Sequence, residues 1–127
     1  MTRSPSEEIV LVHSSDLHVD SDHTEPTYGD DGTTGLRVVL DAARTHDADF
    51  VLLVGDVFDS NRQKPEVVRR AATLLREVER PVVILPGNHD PLTPDSVYLR
   101  DGLAEIPHVH IIGLTHELAV HFPEHDL

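Results

Sequence analysis

The chain of 127 residues contains no cysteine, no tryptophan and a single lysine, and aromatic residues make up only 4% of it. The absence of cysteine excludes disulfide bonds, thiolate zinc sites and cysteine nucleophiles. Basic residues are scarce too, because 10 Lys+Arg stand against 23 Asp+Glu and give a formal net charge of −13. Such a charge repels nucleic acid and acidic membranes over most of the surface, although bound divalent cations can reverse the local sign.

Long apolar runs are missing as well. No stretch approaches the ~20 residues that a membrane span requires, and residues 1–8 form a polar lead-in that lacks the apolar segment of a signal peptide. We therefore expect a cytoplasmic protein without membrane association. The apolar fraction of 39% is sufficient for a core, and residues 9–127 fit one domain or part of one.

What the chain does contain is a set of three short apolar runs, each followed by polar side chains. The runs are Ile9–Val12, Val51–Val54 and Val82–Leu85. Runs of this length, rich in valine, are typical of strands in the buried parallel sheet of an α/β protein. Ligands of such sheets bind beyond the carboxyl ends of the strands. We therefore expect the polar residues that follow the three runs to lie close together.

The spacing of apolar residues elsewhere predicts the connecting elements. Helical spacing predicts one amphipathic helix over about residues 35–46 and another that begins at Pro65 and ends before Pro81. Residues 19–34 have no periodicity and predict a loop, and residues 96–101 predict a short helix. A fourth strand is expected at residues 108–112, and the alternation over 118–122 predicts the start of a half-buried strand. This order predicts a largely parallel sheet with crossover helices.

The first two polar turns offer ligands for a hard cation. Asp16 and His18 are two residues apart, so on an extended segment both side chains point the same way and can reach one ion. Asp56 follows Gly55 and carries two oxygens, so it could bridge two ions. Each turn taken alone is also explained as a solvated polar turn after a strand.

The third turn carries a different combination of groups. Asn88 offers a neutral carbonyl oxygen, which is a weak ligand that leaves an ion more Lewis acidic. His89 stands next to Asp90, as in an imidazole that a carboxylate orients for general acid catalysis. A polar turn flanked by proline is the alternative explanation.

These residues form three motifs in a fixed order. The motifs are D-x-H at Asp16 and His18, G-D-x-x-D at Gly55, Asp56 and Asp59, and G-N-H-D at Gly87, Asn88, His89 and Asp90. With these motifs in this order, the chain resembles the calcineurin-like metallophosphoesterase family. The residues of the first two motifs are similar to those of the DNA-repair exonuclease branch of that family. That branch contains the nuclease subunits of double-strand-break processing complexes. The fold implied is an αββα sandwich, of which this chain would form the first, mixed or parallel sheet with its helices.

The resemblance also implies a two-metal site. One ion would be held by Asp16, His18 and Asp56, and the second by Asp56 and Asn88. Oxygen and imidazole ligands suit Mn²⁺, Fe²⁺ or Zn²⁺, and we take Mn²⁺ as the first expectation.

The remaining motif residues receive supporting roles from the same resemblance. His89 would lie beside the leaving group with Asp90 behind it, and Asp59 would support the ligands from outside the set. The reaction implied is hydrolysis of a phosphodiester, with DNA as the expected substrate, by hydroxide activated between the two ions. An ATPase partner subunit and a homodimer are further expectations for the nuclease branch.

The family carries further histidines after the third motif, including a G-H-x-H sequence, and no such sequence follows here. We therefore expect that the chain is the N-terminal portion of a metallophosphoesterase domain and that it has little activity by itself. Two alternatives to a nuclease remain open. One is a phosphoesterase that acts on small molecules or nucleotides, which the acidic charge favours, and the other is a non-catalytic metal-binding module.

Overall fold

A computed structural model of the protein describes residues 8–20, 24–25, 30–116, 119–125 and 127. Its centre is a sheet of four parallel strands in the spatial order β1-β4-β5-β6. The strands are β1 (Leu11–Ser14), β4 (Phe50–Val54), β5 (Val82–Leu85) and β6 (Val109–Ile111), and a separate antiparallel pair consists of β2 (Thr24–Glu25) and β3 (Asp30–Asp31). The predicted parallel α/β sheet is confirmed, and the order places β4 and β5 in its interior.

Two amphipathic helices follow β3 and β4. Helix α1 (Thr34–Thr45) buries Leu36, Leu40 and Ala43, which recur at the three- and four-residue spacing of one helix face. Helix α2 (Pro65–Glu77) begins with a proline, whose missing N–H would have no partner inside the helix anyway. Among the residues that the structure describes, no helix is long and apolar enough to cross a membrane.

The helices pack against one face of the sheet. Register places every second residue of the four strands on this face, and these side chains form the core with the buried positions of α1 and α2. The fully or almost fully buried members from the strands are Val51, Leu53, Val82, Ile84, Val109 and Ile111. The carboxyl ends of the strands are therefore supported by a buried core.

The opposite face of the sheet is only partly covered. Phe50 is buried there by the ring of Phe122, whose centroid lies 4.4 Å away. Leu11, Val54 and Leu85 are 48%, 38% and 43% exposed. Within the described residues, this face therefore exposes apolar side chains, as expected for a chain whose helices cover only one side.

Three details differ from the sequence-based expectations. The alternation over residues 118–122 predicts a strand, but residues 119–122 form none, and Leu118 lies outside the described residues. Phe122 instead packs on Phe50 and exchanges backbone hydrogen bonds with Leu127. The predicted loop over residues 19–34 contains the short pair β2 and β3. The predicted helix at 96–101 is a single 3₁₀ turn (Val97–Leu99).

The expected sandwich is present only in its first half. Within the described part of the chain, the antiparallel pair of two-residue strands is the only sheet besides the parallel one. The polar lead-in over residues 1–8 lies outside the described residues except for Glu8.

Candidate metal centre

The turns after β1, β4 and β5 meet at one edge of the sheet. Gly55 donates its N–H to the carbonyl of Leu85 at 2.8 Å, which extends the pairing of β4 and β5 into the turns. The turn after β1 is attached to the turn after β4, because Asp16 N–H donates to Gly55 O and His18 N–H donates to Asp56 O, both at 3.1 Å. Backbone hydrogen bonds thus fix the relative positions of the three turns.

Three of the predicted ligands converge at this edge. One ligand atom from each of Asp16, His18 and Asp56 lies within 4.8 Å of the others. The Asp56 side chain is 13% exposed, whereas those of His18 and Asp16 are 35% and 63% exposed. Two carboxylates and an imidazole that line a partly open position fit a divalent cation such as Mn²⁺, Fe²⁺ or Zn²⁺.

The same three residues have unusual backbone conformations. Their φ angles are 55° at Asp16, 47° at His18 and 51° at Asp56. A left-handed conformation costs a non-glycine residue roughly 1–2 kcal/mol. Such strain concentrates at functional sites, where the surrounding structure enforces it. The other described non-glycine residues with positive φ are Asp47 and Glu79, just beyond the helix ends, and Asp101, in a turn.

Asp59 contacts the proposed ligand His18. The His18 Nδ1 atom lies 2.9 Å from Asp59 Oδ1, which leaves Nε2 on the side of Asp16, at 3.7 Å from its Oδ1. A carboxylate at one ring nitrogen fixes the tautomer and the orientation of a histidine that binds metal through the other. The position of Asp59 suits the supporting role predicted for it, which stays a prediction.

His89 is hydrogen-bonded to Asp56 through both its backbone and its ring. The His89 N–H donates to Asp56 Oδ1 at 2.9 Å, and His89 Nδ1 lies 3.0 Å from Asp56 Oδ2. The backbone hydrogen bond from His89 is the largest of the effects that lower the pKa of Asp56, while burial opposes it. Asp56 is therefore ionised at neutral pH, as a metal ligand must be.

Gly87 allows the close approach of the turns after β4 and β5. A Cβ atom at this position would overlap the side chain of Asp56 and lie 2.5 Å from its backbone N. Gly55 has a φ of +77°, and a Cβ there would meet the Cα of Gly87 at 3.8 Å. The two glycines of the motifs are thus required by steric contact and by backbone conformation respectively.

Asp90 occupies a different place from the one expected. Its carboxylate is fully buried and accepts hydrogen bonds from Gly87 N–H at 2.7 Å and from Phe58 N–H at 3.1 Å. It also accepts a short hydrogen bond from the hydroxyl of Tyr98. Among the described residues, the carboxylate bonded to the His89 ring is that of Asp56. Asp90 therefore joins the turns and leaves the orientation of His89 to Asp56.

Tyr98 is the residue at this site that sequence reasoning missed. It is fully buried beside the turns, in a segment for which the sequence predicts only a short helix. The scarcity of tyrosine, with two in the chain, and its place eight residues after Asp90 were the available signals.

Asn88 and the later histidines lie outside the cluster of Asp16, His18 and Asp56. Asn88 is exposed on the turn whose next residue, His89, contacts Asp56. His108 is bonded through Nε2 to the carbonyl of Leu75 at 2.6 Å. The ring of His110 lies 4.8 Å from that of His116 and 5.5 Å from that of Phe122. His108 thus makes a hydrogen bond and His110 makes ring contacts, and neither belongs to the cluster of Asp16, His18 and Asp56.

Comparisons with known proteins agree with this geometry. The chain is 29% identical over 110 residues to the DNA double-strand break repair protein Mre11 of Archaeoglobus fulgidus, which covers 82% of this chain and 24% of that protein. It is 33% identical over 97 residues to the uncharacterized metallophosphoesterase YhaO of Bacillus subtilis, or 67% of this chain and 24% of that protein. It is 30% identical over 84 residues to a subunit of the nuclease SbcCD of Escherichia coli, or 63% of this chain and 21% of that protein.

The chain thus spans about a quarter of the length of these curated relatives. The relatives confirm the predicted resemblance to double-strand-break repair nucleases, within the N-terminal part of the domain. Residues 9–122 match the calcineurin-like phosphoesterase family, and the protein therefore belongs to that family.

Proposed function

We propose that this protein is a metal-dependent phosphoesterase that hydrolyses phosphodiester bonds and that DNA is its substrate. The cluster of Asp16, His18 and Asp56 at the carboxyl edge of the sheet carries the proposal, because it offers carboxyl oxygen and imidazole ligands at one point. The similarity to an Mre11 repair protein and to a component of a bacterial nuclease supports DNA as the substrate class.

The proposed ligands divide between two ions. Asp16, His18 and Asp56 would hold the first ion, and Asp56 and Asn88 would contribute to the second, with Mn²⁺ as the first expectation. When bound, such ions supply Lewis acidity and a positive charge that attracts an anionic phosphate. This positive charge matters here, because the chain has a formal net charge of −13 and would otherwise repel its substrate.

The protein groups around the ions have their own tasks. Asp59 holds the His18 ring by its Nδ1 atom, so that Nε2 remains available. His89 is 59% exposed, and its Nδ1 atom contacts Asp56. Its Nε2 atom is therefore the position from which a proton would pass to the leaving oxygen of the ester.

The association state and location follow from the same proposal. One relative is named as a subunit of a nuclease, which supports a partner subunit for this protein. We propose that this partner is an ATPase and that the protein forms a homodimer. We also propose a cytoplasmic location, which is compatible with the partner subunit and with the homodimer. Size measurement of the purified protein and capture with the candidate ATPase would test the partners.

A second candidate is a phosphoesterase for small phosphate esters or nucleotides. The formal charge of −13 favours it, because a small anion is repelled less than a long polyanion. A third candidate is a metal-binding module without activity, which the three-residue cluster of the described residues would also satisfy.

The deciding experiment measures which substrates the complete product of the gene hydrolyses. The complete product is used because the matched relatives are about four times as long as the matched region. With Mn²⁺ present, we expect cleavage of end-labelled duplex DNA and loss of that cleavage in Asp16→Asn. The matched control is Asp41→Asn, since Asp41 on α1 is 63% exposed like Asp16 but contacts Arg44. Hydrolysis of nucleotides without DNA cleavage would favour the second candidate. Binding of Mn²⁺ without any hydrolysis would favour the third.

A further inference from the structure

Asp90 has a buried carboxyl group whose hydrogen bonds reach three segments of the chain. Burial of a carboxylate is unfavourable unless hydrogen bonds compensate for the lost water. The N–H groups of Phe58 and Gly87 supply two of these bonds, and the hydroxyl of Tyr98 supplies the third. Phe58 follows Asp56 by two residues, and Gly87 precedes Asn88. The carboxylate therefore ties together two of the three turns that carry proposed ligands, namely those of Asp56 and Asn88.

Tyr98 is itself held in a single position. Its ring contacts that of Phe58 edge-on, with the centroids 5.8 Å apart. Its N–H donates to Ser96 Oγ at 3.2 Å, and the adjacent Val97 N–H donates to Asn61 Oδ1 at 3.1 Å. Burial and the neighbouring Asp90 raise the pKa of Tyr98, so the hydroxyl stays protonated and donates a hydrogen bond to Asp90.

We propose that Tyr98 is a positioning residue for the metal centre. By donating to Asp90, it keeps the carboxylate aligned on the N–H groups of Phe58 and Gly87 and so fixes the spacing between Asp56 and Asn88. Tyr98 is fully buried and is not a proposed ligand, and it acts through its hydrogen bond to Asp90. This inference rests on the proposed function, because it assumes the metal centre that Tyr98 supports.

The variant Tyr98→Phe removes the hydroxyl and keeps the ring against Phe58. Hydrogen exchange of the metal-free chain, measured by NMR, should become about tenfold faster at the Phe58 and Gly87 amides, as expected for the loss of one buried hydrogen bond. The amides of Val51 and Val82 donate to carbonyls at the amino end of the sheet and serve as the reference. Their exchange should not change.

The control Val82→Ala removes a buried side chain at the amino end of β5, away from the site. It should lower the thermal midpoint without a selective effect at Phe58 and Gly87. Faster exchange throughout the sheet in Tyr98→Phe, or unchanged exchange at the two amides, would overturn the proposal. Because this readout needs no metal, it remains decisive if the chain binds no Mn²⁺, a result that would instead refute the proposed metal centre.

Titration with Mn²⁺ provides the second readout. We expect the affinity of Tyr98→Phe to be about 10- to 100-fold below that of the wild type, the range typical for residues that support metal ligands. In a double-mutant cycle with Asp90→Ala the two effects should not add, because each substitution removes the hydrogen bond between Tyr98 and Asp90. Full additivity, or an affinity equal to that of Val82→Ala, would show that Tyr98 has only a structural role.

Discussion

The ring of His18 and the carboxylate of Asp59 lie 2.9 Å apart, although 41 positions separate them in the chain. The contact follows from the pairing of the turns, in which His18 N–H donates to Asp56 O and Asp59 N–H donates to Val19 O. Asp59 is thereby brought to the nitrogen of His18 that faces away from Asp16. The pair has the arrangement of a histidine that is oriented for metal binding.

Substitution Asp59→Asn should weaken metal binding without removing a ligand. The amide can no longer act as a charged acceptor for His18, so we expect a loss of about 10- to 100-fold in Mn²⁺ affinity. Isothermal titration would measure it, with Asp41→Asn as the control carboxylate on α1. An unchanged affinity would show that Asp59 does not support His18.

Substitution Gly87→Ala should disrupt the site more severely. The new Cβ would overlap Asp56, and the resulting displacement is expected to lower the free energy of unfolding by about 1–3 kcal/mol. Gly35→Ala is the comparison, because its Cβ would lie 3.3 Å from the backbone oxygen of Leu17, a tight contact that a small shift relieves, whereas the Cβ at Gly87 would overlap Asp56. Urea unfolding of both variants tests the difference, and equal stabilities would contradict the steric role of Gly87.

His110 should make the stability of the protein depend on pH. Burial, then the neighbouring rings of His116 and His108, lowers its pKa in the folded state. The unfolded chain takes up this proton near pH ~6.5. The stabilisation by the neutral ring is therefore complete above that pH and is lost as the pH falls from there through the lower folded-state pKa.

The variant His110→Phe keeps an aromatic ring beside Phe122 and removes the titrating group. Urea unfolding between about pH 7.5 and about pH 5 should therefore show a shallower pH dependence than in the wild type. The same slope in both proteins would mean that His110, one of the 10 histidines of the chain, does not account for the effect.

The open face of the sheet should cause self-association of the 127-residue chain. Leu11 and Leu85 expose apolar surface on this face, and contiguous apolar patches mark interfaces or sites of aggregation. The double variant Leu11→Lys, Leu85→Lys should shift light scattering and size exclusion toward the monomer. Val38→Lys is the control, since Val38 is 62% exposed but lies on α1. A wild-type monomer would contradict this prediction.

The strands and the polar turns could be predicted because local sequence determines them. Val51–Val54 is apolar at every position, which is typical of an interior parallel strand, and Gly55-Asp56 ends it abruptly. The convergence of Asp16, His18 and Asp56 then follows from the general rule for carboxyl ends of parallel strands. The roles of Asn88 and His89 remain predictions.

The contacts that sequence reasoning missed depend on how irregular segments fold back. Asp90 and His89 are adjacent in sequence, which suggests that they interact, but the carboxylate points into the core toward Tyr98. No periodicity indicates such a contact. The alternation around Phe122 likewise predicts a strand, which the described residues 119–122 do not form. The ring of Phe122 packs on Phe50 instead, and a pattern of apolar residues does not indicate such a contact.

The left-handed backbone at Asp16, His18 and Asp56 has a consequence for protein engineering. Glycine adopts this conformation without the steric penalty of a side chain. At Asp16, whose side chain is 63% exposed, glycine would relieve strain while deleting a proposed ligand, whereas at His18 and Asp56 it would also delete the contacts with Asp59 and His89. A library that selects for heat resistance alone should therefore hold the Asp16 codon constant.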